Sequence, residues 1–266
     1  MFTKSFFNSL ISTSITALGI SFASLISSPH AAKAADCPAS GNSGAMSADC
    51  YETPEVMEIK FYELGFCTTT DPLAGTNFSR TNCTKAWEST TGETADLADF
   101  SFKDQASGLD YRIPNDTYEY AYVIFDNVWG LKGKVYFNDR TYYTNSSGGV
   151  ATEEADYAKF DLDVSSLAGG AGCWDYSGAT DYGPVKAVLA NTSLVTADST
   201  GTCNSATRMA GSIDLNTPLV MTSDVKTYQL TWIIKKMGLW VDHDSGTSPD
   251  GFGGGPFVPS FTLSTQ

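Results

Sequence analysis

The chain has 266 residues, with 16 Lys and Arg against 30 Asp and Glu, a formal net charge of −14, and six cysteines. Nucleic acids and anionic membranes are met by basic patches, so an acidic balance of this size argues against both as partners. Only the N-terminal stretch is apolar over a long run, and nothing later approaches the ~20 residues of a membrane span.

That first stretch reads as a secretory leader over residues 1–34. Lys4 supplies the positive end, apolar and small residues run from Phe6 to Ile26, and Ala32-Lys33-Ala34 offers the small-x-small pattern read by signal peptidase. Ser12, Thr13, Ser14, Thr16, Ser21 and Ser24 interrupt the run and make it a poor membrane span. Asp36 stands where a small residue should precede a lipid-modified cysteine, which disfavours Cys37 as a lipid anchor. The leader holds two of the sixteen Lys and Arg and no acid, so residues 35–266 carry −16. The expected location is secreted, periplasmic or cell-surface, with no transmembrane segment in the mature chain.

Cys37, Cys50, Cys67, Cys83, Cys173 and Cys203 all lie beyond that cut. An even count in an exported chain predicts a disulfide framework. Many pairings are open. Sequential pairing (37 with 50, 67 with 83, 173 with 203) closes three compact loops and is the expected one. Zinc is disfavoured, because no two cysteines have knuckle spacing and His243 is the only histidine left after cleavage.

From residue 50 onward the apolar pattern has period two, the signature of half-buried strands. In chain order the expected strands are Met57–Phe61, Leu97–Lys103, Tyr118–Phe125, Leu131–Phe137, Tyr157–Val164, Val185–Leu189, Ser212–Leu215, Leu219–Thr222, a long run Tyr228–Val241 bent near Gly238, and Phe257–Ser264. Thr84–Ser89 is the one place where a helical turn is expected. In Tyr118–Phe125 both faces are apolar, which predicts cover on each side. Turn residues separate the runs, as in Pro114-Asn115-Asp116 and Asn145-Ser146-Ser147-Gly148-Gly149. The fold class is all-β: a disulfide-stapled antiparallel β-sandwich with long loops, forming a single domain over 35–266. Residues 35–53 form an N-terminal strap held by Cys37 and Cys50, and Ser165–Gly183 is a long loop pinned by Cys173.

Between Met57 and Phe137 a first strand, Ile59–Leu64, is followed by a variable loop and by Ile113-Pro114 with Tyr118 opening a long central strand. This order resembles exported β-sandwich domains of the prealbumin-like (transthyretin-like) class. The resemblance covers about a third of the chain and implies a sandwich serving as a carrier or surface module. It carries over no functional residues, since fold likeness says little about chemistry.

Catalytic motifs are absent. No Gly-x-Ser-x-Gly elbow occurs, and His243 alone cannot be assigned a nucleophile. Asp161 and Asp163 share a strand face, which fits a solvated exterior better than a glycosidase pair. The expected function is therefore a non-catalytic structural or adhesive role at the cell envelope or outside the cell, with another protein, itself or a surface, as partner. The last strand, through Phe257, Pro259 and Phe261, can extend a neighbour's sheet. Two binding alternatives stand beside it. Asp242, Asp244 and Asp250 around Gly246 offer oxygen ligands for calcium, although the EF-hand positions are not filled. Tyr118, Tyr120 and Tyr122, with Tyr142, Tyr143, Trp174 and Tyr176, offer rings for a glycan.

Overall fold

The computed structural model describes residues 36–37, 46, 48–75, 77–99, 109–137, 139–165, 167, 173–180, 183–197, 203, 205–225, 227–243, 248–255 and 257–264. Residues 1–34, read above as a secretory leader, lie outside them. Sixteen strands account for the described architecture: β1 Cys50–Glu52, β2 Val56–Cys67, β3 Cys83–Asp96, β4 Leu109–Asp110, β5 Asp116–Lys132, β6 Lys134–Tyr136, β7 Thr141–Thr144, β8 Val150–Ala151, β9 Phe160–Asp163, β10 Trp174–Thr180, β11 Gly183–Ala190, β12 Arg208–Met221, β13 Thr227–Ile233, β14 Leu239–Asp242, β15 Gly251–Gly254 and β16 Val258–Ser264. One 3-10 turn, Glu154–Asp156, is the helical content of the described residues. No helix among them is long and apolar enough to cross a membrane.

Strand β5 organises the rest. Its 17 residues pair with β2 along one edge, while on the other edge β12 takes Asp116–Phe125 and β9 takes Val128–Leu131. With β3, β4, β10 and β11 these make an eight-stranded antiparallel sheet. Alternation along β5 sends Val123 and Phe125 into one core cluster and Tyr122 and Ile124 into another, so both faces are covered, as the apolar pattern predicts. Pro114 sets up the strand entrance. Tyr118 is buried and its hydroxyl returns to donate to the Pro114 carbonyl at 3.1 Å, which fixes the Pro-x-x-x-Tyr corner.

Each face has its own cover. On the outer face the β2–β3 connection, 68–82, lays Leu73 and Phe78 over Tyr122, Ile124 and Val188. On the inner face two small sheets, β1-β14-β15 and β13-β16, pack through aromatic contacts. Phe61 of β2 stacks on Trp232 of β13 with ring centroids 5.3 Å apart, and Phe257 lies 5.5 Å from Phe125 and 5.3 Å from Trp129. A third small sheet, β6-β7-β8, buries Val135, Phe137 and Tyr142 against the same cluster.

The disulfides are Cys37–Cys50, Cys67–Cys83 and Cys173–Cys203, the sequential pairing, and no cysteine is free. Cys67 and Cys83 are cross-strand partners where the β2–β3 connection begins and ends.

Several sequence expectations are corrected. Thr84–Ser89 is strand, not a helical turn, because it continues β3 beside β2. Register shifts along that pair place Ala86 and Trp87 both among the buried residues, which breaks the period-two signal. Leu97–Asp99 is a turn rather than the start of a strand, and residues 100–103 lie outside the described part. The run Leu131–Phe137 is interrupted at Gly133, where Leu239 sits so close that a Cβ would meet its Cδ2 at 2.5 Å. Ser165–Gly183 is not all loop: Trp174–Thr180 forms β10 at the end of the large sheet.

The outer cover depends on a charge. Glu63 is 5% exposed and accepts two bonds of 2.7 Å from Arg80 and a third of 2.7 Å from the Tyr122 hydroxyl. Removing Glu63 leaves the buried Tyr122 hydroxyl unmatched, whereas Arg80, with 43% of its side chain exposed, returns to water, so Glu63→Ala is expected to cost about 2 kcal/mol in urea unfolding. Tyr122→Phe, which loses one bond to a carboxylate, is expected to cost about 2 kcal/mol. Equal, near-zero effects in both variants would show that the network contributes nothing to the fold.

Candidate functional site

Between the inner face of the large sheet and the small sheets lies a cavity of about 510 Å³. Its floor is the inner side of β5, β11 and β12, where Ala121, Ala187 and Gly211 present short side chains or none. Trp129, Trp232, Trp240 and Phe257 wall it, and the glycine run of β15 passes over them. Those glycines are required: a Cβ at Gly253 would meet the Trp240 ring at 2.7 Å, and one at Gly254 the Trp129 ring at 2.8 Å.

The chemistry of the lining is almost wholly apolar. Its charged residues are Asp163 and Lys186. Lys186 reaches the cavity by its main chain, because its ammonium bonds Asp71 on the opposite face at 2.6 Å. Ser212 likewise turns its hydroxyl to Asp71 at 2.8 Å, and Tyr122 turns its own to Glu63. Asp163 is exposed at the rim and accepts from the Asn127 amide at 2.7 Å. Among the described residues no histidine, cysteine or glutamate lines the space. A cavity of this size, apolar and largely preformed, suits a small ligand held by contact rather than by charge.

Charged groups cluster elsewhere. Around Glu63, hydrogen bonding to the carboxylate holds Arg80 above its ordinary value, and burial followed by the nearby carboxylate pushes the Tyr122 hydroxyl up. Lys85 bonds Glu88 at 2.8 Å, which pulls the Glu88 carboxyl down. At the other end of β2, burial pushes the Glu55 carboxyl up but is outweighed by Lys134 at 2.8 Å and the Tyr157 hydroxyl at 2.6 Å, so its net shift is downward. Tyr157 also packs on Tyr143, with centroids 5.1 Å apart, and receives Lys132 over its ring at 4.1 Å. These groups tie loops to strands and lie away from the cavity walls.

The residues singled out in the sequence fall in several places. Asp242 and Asp250 face each other across the neck of the β14–β15 hairpin, where the Asp250 amide donates to the Asp242 carbonyl at 2.9 Å. Asp244 lies outside the described residues. Among those described, no group of three or more His, Cys, Asp and Glu converges as a metal site. Asp161 and Asp163 on β9 are both exposed. The tyrosine face offered for a glycan is corrected at two of its three rings: Tyr118, among Phe66 and Ile213, and Tyr122, under the outer cover, are 1% and 2% exposed and cannot stack on a sugar, while Tyr120 is half-buried. Tyr142 is buried too, with its ring edge-on to Phe137. Trp174 and Tyr176 sit on β10, and their rings are outside the described part, as are the side chains of Pro259 and Phe261 on β16.

The cavity itself was missed by the sequence reading. Its lining comes from nine strands far apart in the chain. One signal was present: a glycine, Gly211, inside the strand segment just before Ser212–Leu215.

No protein-family model, curated protein or solved structure matches the chain. The prealbumin-like order of Met57–Phe137 therefore brings no relative's site to these residues.

The carboxyls of Glu55 and Glu88 sit below their ordinary 4.5 in the folded chain. A depressed carboxyl stabilises fully above its unfolded value and loses that contribution as pH falls through the folded one. The melting temperature is thus expected to fall on acidification from about pH 5 to about pH 3. In the double variant Glu55→Gln/Glu88→Gln that acid limb should be shallower. An unchanged limb would remove these pairs as its source.

Proposed function

We propose that this chain is an exported, non-catalytic protein with a structural or adhesive role at the cell envelope or in the extracellular space. The observation that carries the reading is the combination of three loop-closing disulfides with sheet edges left available. Disulfides of this kind persist in oxidising compartments. Among the described strands, β16 pairs with β13 and with no other, so its second edge can take a strand from a neighbour. Pro259 on β16 suits an edge, where a missing N–H breaks no ladder.

Two measurements test this together. Fractionation of the native host should place the protein outside the cytoplasm, and sedimentation over a wide concentration range should show self-association or capture on the cell surface. A strictly monomeric protein with no surface association would overturn the role.

A second reading rests on the hairpin neck. The fold brings Asp242 and Asp250 to the two ends of one loop, an arrangement from which carboxylate and backbone oxygens can gather around calcium. Calcium in excess is then expected to raise the melting temperature over that in chelator, and Asp250→Asn to abolish the difference. Identical melting with calcium and with chelator ends this reading.

A further inference from the structure

We propose that the hollow between the sheets is a binding site for an uncharged, flat, ring-bearing small molecule. Gly211 marks it. The residue lies inside β12, paired to Val123 on one side and to Ala187 on the other. Glycine weakens a strand interior, and where it persists there a bulge, a tight approach or a ligand accounts for it. Neither of the first two applies. The register around Gly211 is regular from Met209 to Asp214, and a Cβ there would have only ordinary contacts: Val123 Cγ1 at 3.6 Å, the Lys186 carbonyl at 3.7 Å and Phe125 Cε1 at 3.9 Å. By contrast, a Cβ at Gly65 on the same sheet would meet the Tyr122 ring at 2.4 Å. Gly211 is thus a glycine that crowding does not demand, on the floor of the cavity.

The shape and charge of the space define what enters it. Gly211 and its cross-strand partner Ala187 keep the floor low beside Val123, with Ala121 further along β5, and Trp129, Trp232 and Phe257 stand around it with neighbouring rings 5.3 Å apart and steeply inclined. Aromatic walls of this kind favour a further ring, stacked or edge-on. A concave, mostly apolar pocket of this size buries most of a small ligand by contact with its walls. A carboxylate-bearing chain such as a fatty acid would need a cation, and the one lysine of the lining points its ammonium through to the opposite face. The site does not depend on where the protein resides or on how it assembles.

The test is a fluorescence titration of the secreted chain with N-phenyl-1-naphthylamine, a neutral ring-bearing probe, read by probe emission and by quenching of tryptophan. One saturable site is expected, with displacement by naphthalene at lower concentration than by palmitate. Gly211→Val projects methyl groups into the hollow and is expected to weaken binding roughly tenfold or more while the melting temperature holds. Ala187→Val, on the adjacent strand, should act in the same direction and decides the matter if Gly211→Val does not fold. Absence of saturable binding, or wild-type affinity in the folded variants, would overturn the site. Stronger displacement by palmitate than by naphthalene would overturn the ligand class.

Discussion

The arrangement turns on a single long strand buried on both faces. Residues 122–125 of β5 alternate between two separate clusters, so a slip of one residue against β2 or β12 would exchange every side chain between them. The large phenol of Tyr122 fits only the outer side, where Glu63 accepts its hydroxyl, and the Phe125 ring fits only the inner side, against Phe61 and Phe257. Each neighbour of β5 is thereby fixed in register. Where β12 leaves the strand, β9 takes over its edge, so the ladder is not left open.

The two covers solve the same burial problem by different means. The outer one is short and would be entropically costly to order, and it is held by directional bonds: Arg80 to Glu63, Asp71 to both Lys186 and Ser212, and Cys67 to Cys83 at its base. A disulfide closing about fifteen residues contributes roughly 3 kcal/mol by limiting the unfolded chain. The inner cover is made of whole strands and is held by ring contacts, which are strong in area but loose in direction. Directional bonds leave no slack, whereas ring contacts tolerate a gap. It is on the inner side that the cavity lies.

Much of the β architecture was legible in the alternation itself. Met57–Phe61 and Tyr118–Phe125 read correctly because their alternation decides their faces. The sequential disulfides were legible for a related reason, as short loops bring their ends together most easily. The failures share a cause. Trp87 follows Ala86 into the interior at a register shift, so β3 hides its period behind an irregularity that no local pattern reports. Tyr122 of β5 was legible as aromatic but not as covered, since its cover comes from Leu73 and Phe78, some fifty residues earlier in the chain. The cavity is the extreme case. Its emptiness belongs to no segment and arises only where three strands meet two small sheets.

The glycines separate what the fold requires from what it merely permits. At Gly65, Gly253 and Gly254 a ring already occupies the place of the missing side chain, and larger residues would force the sheets apart. At Gly211 the place is open. A valine there would add apolar contact, favour the strand, and close part of a hollow whose walls now lack neighbours on one side. Stability alone therefore favours filling the position, and the chain leaves it unfilled beside Ala121 and Ala187, two more of the smallest side chains available. A floor kept low at the cross-strand pair Gly211 and Ala187, with Ala121 two residues beyond Val123 on the next strand, beneath tryptophan and phenylalanine rings, is the geometry of a slot. The interior of this sheet thus spends packing to keep a space that its own side chains could occupy.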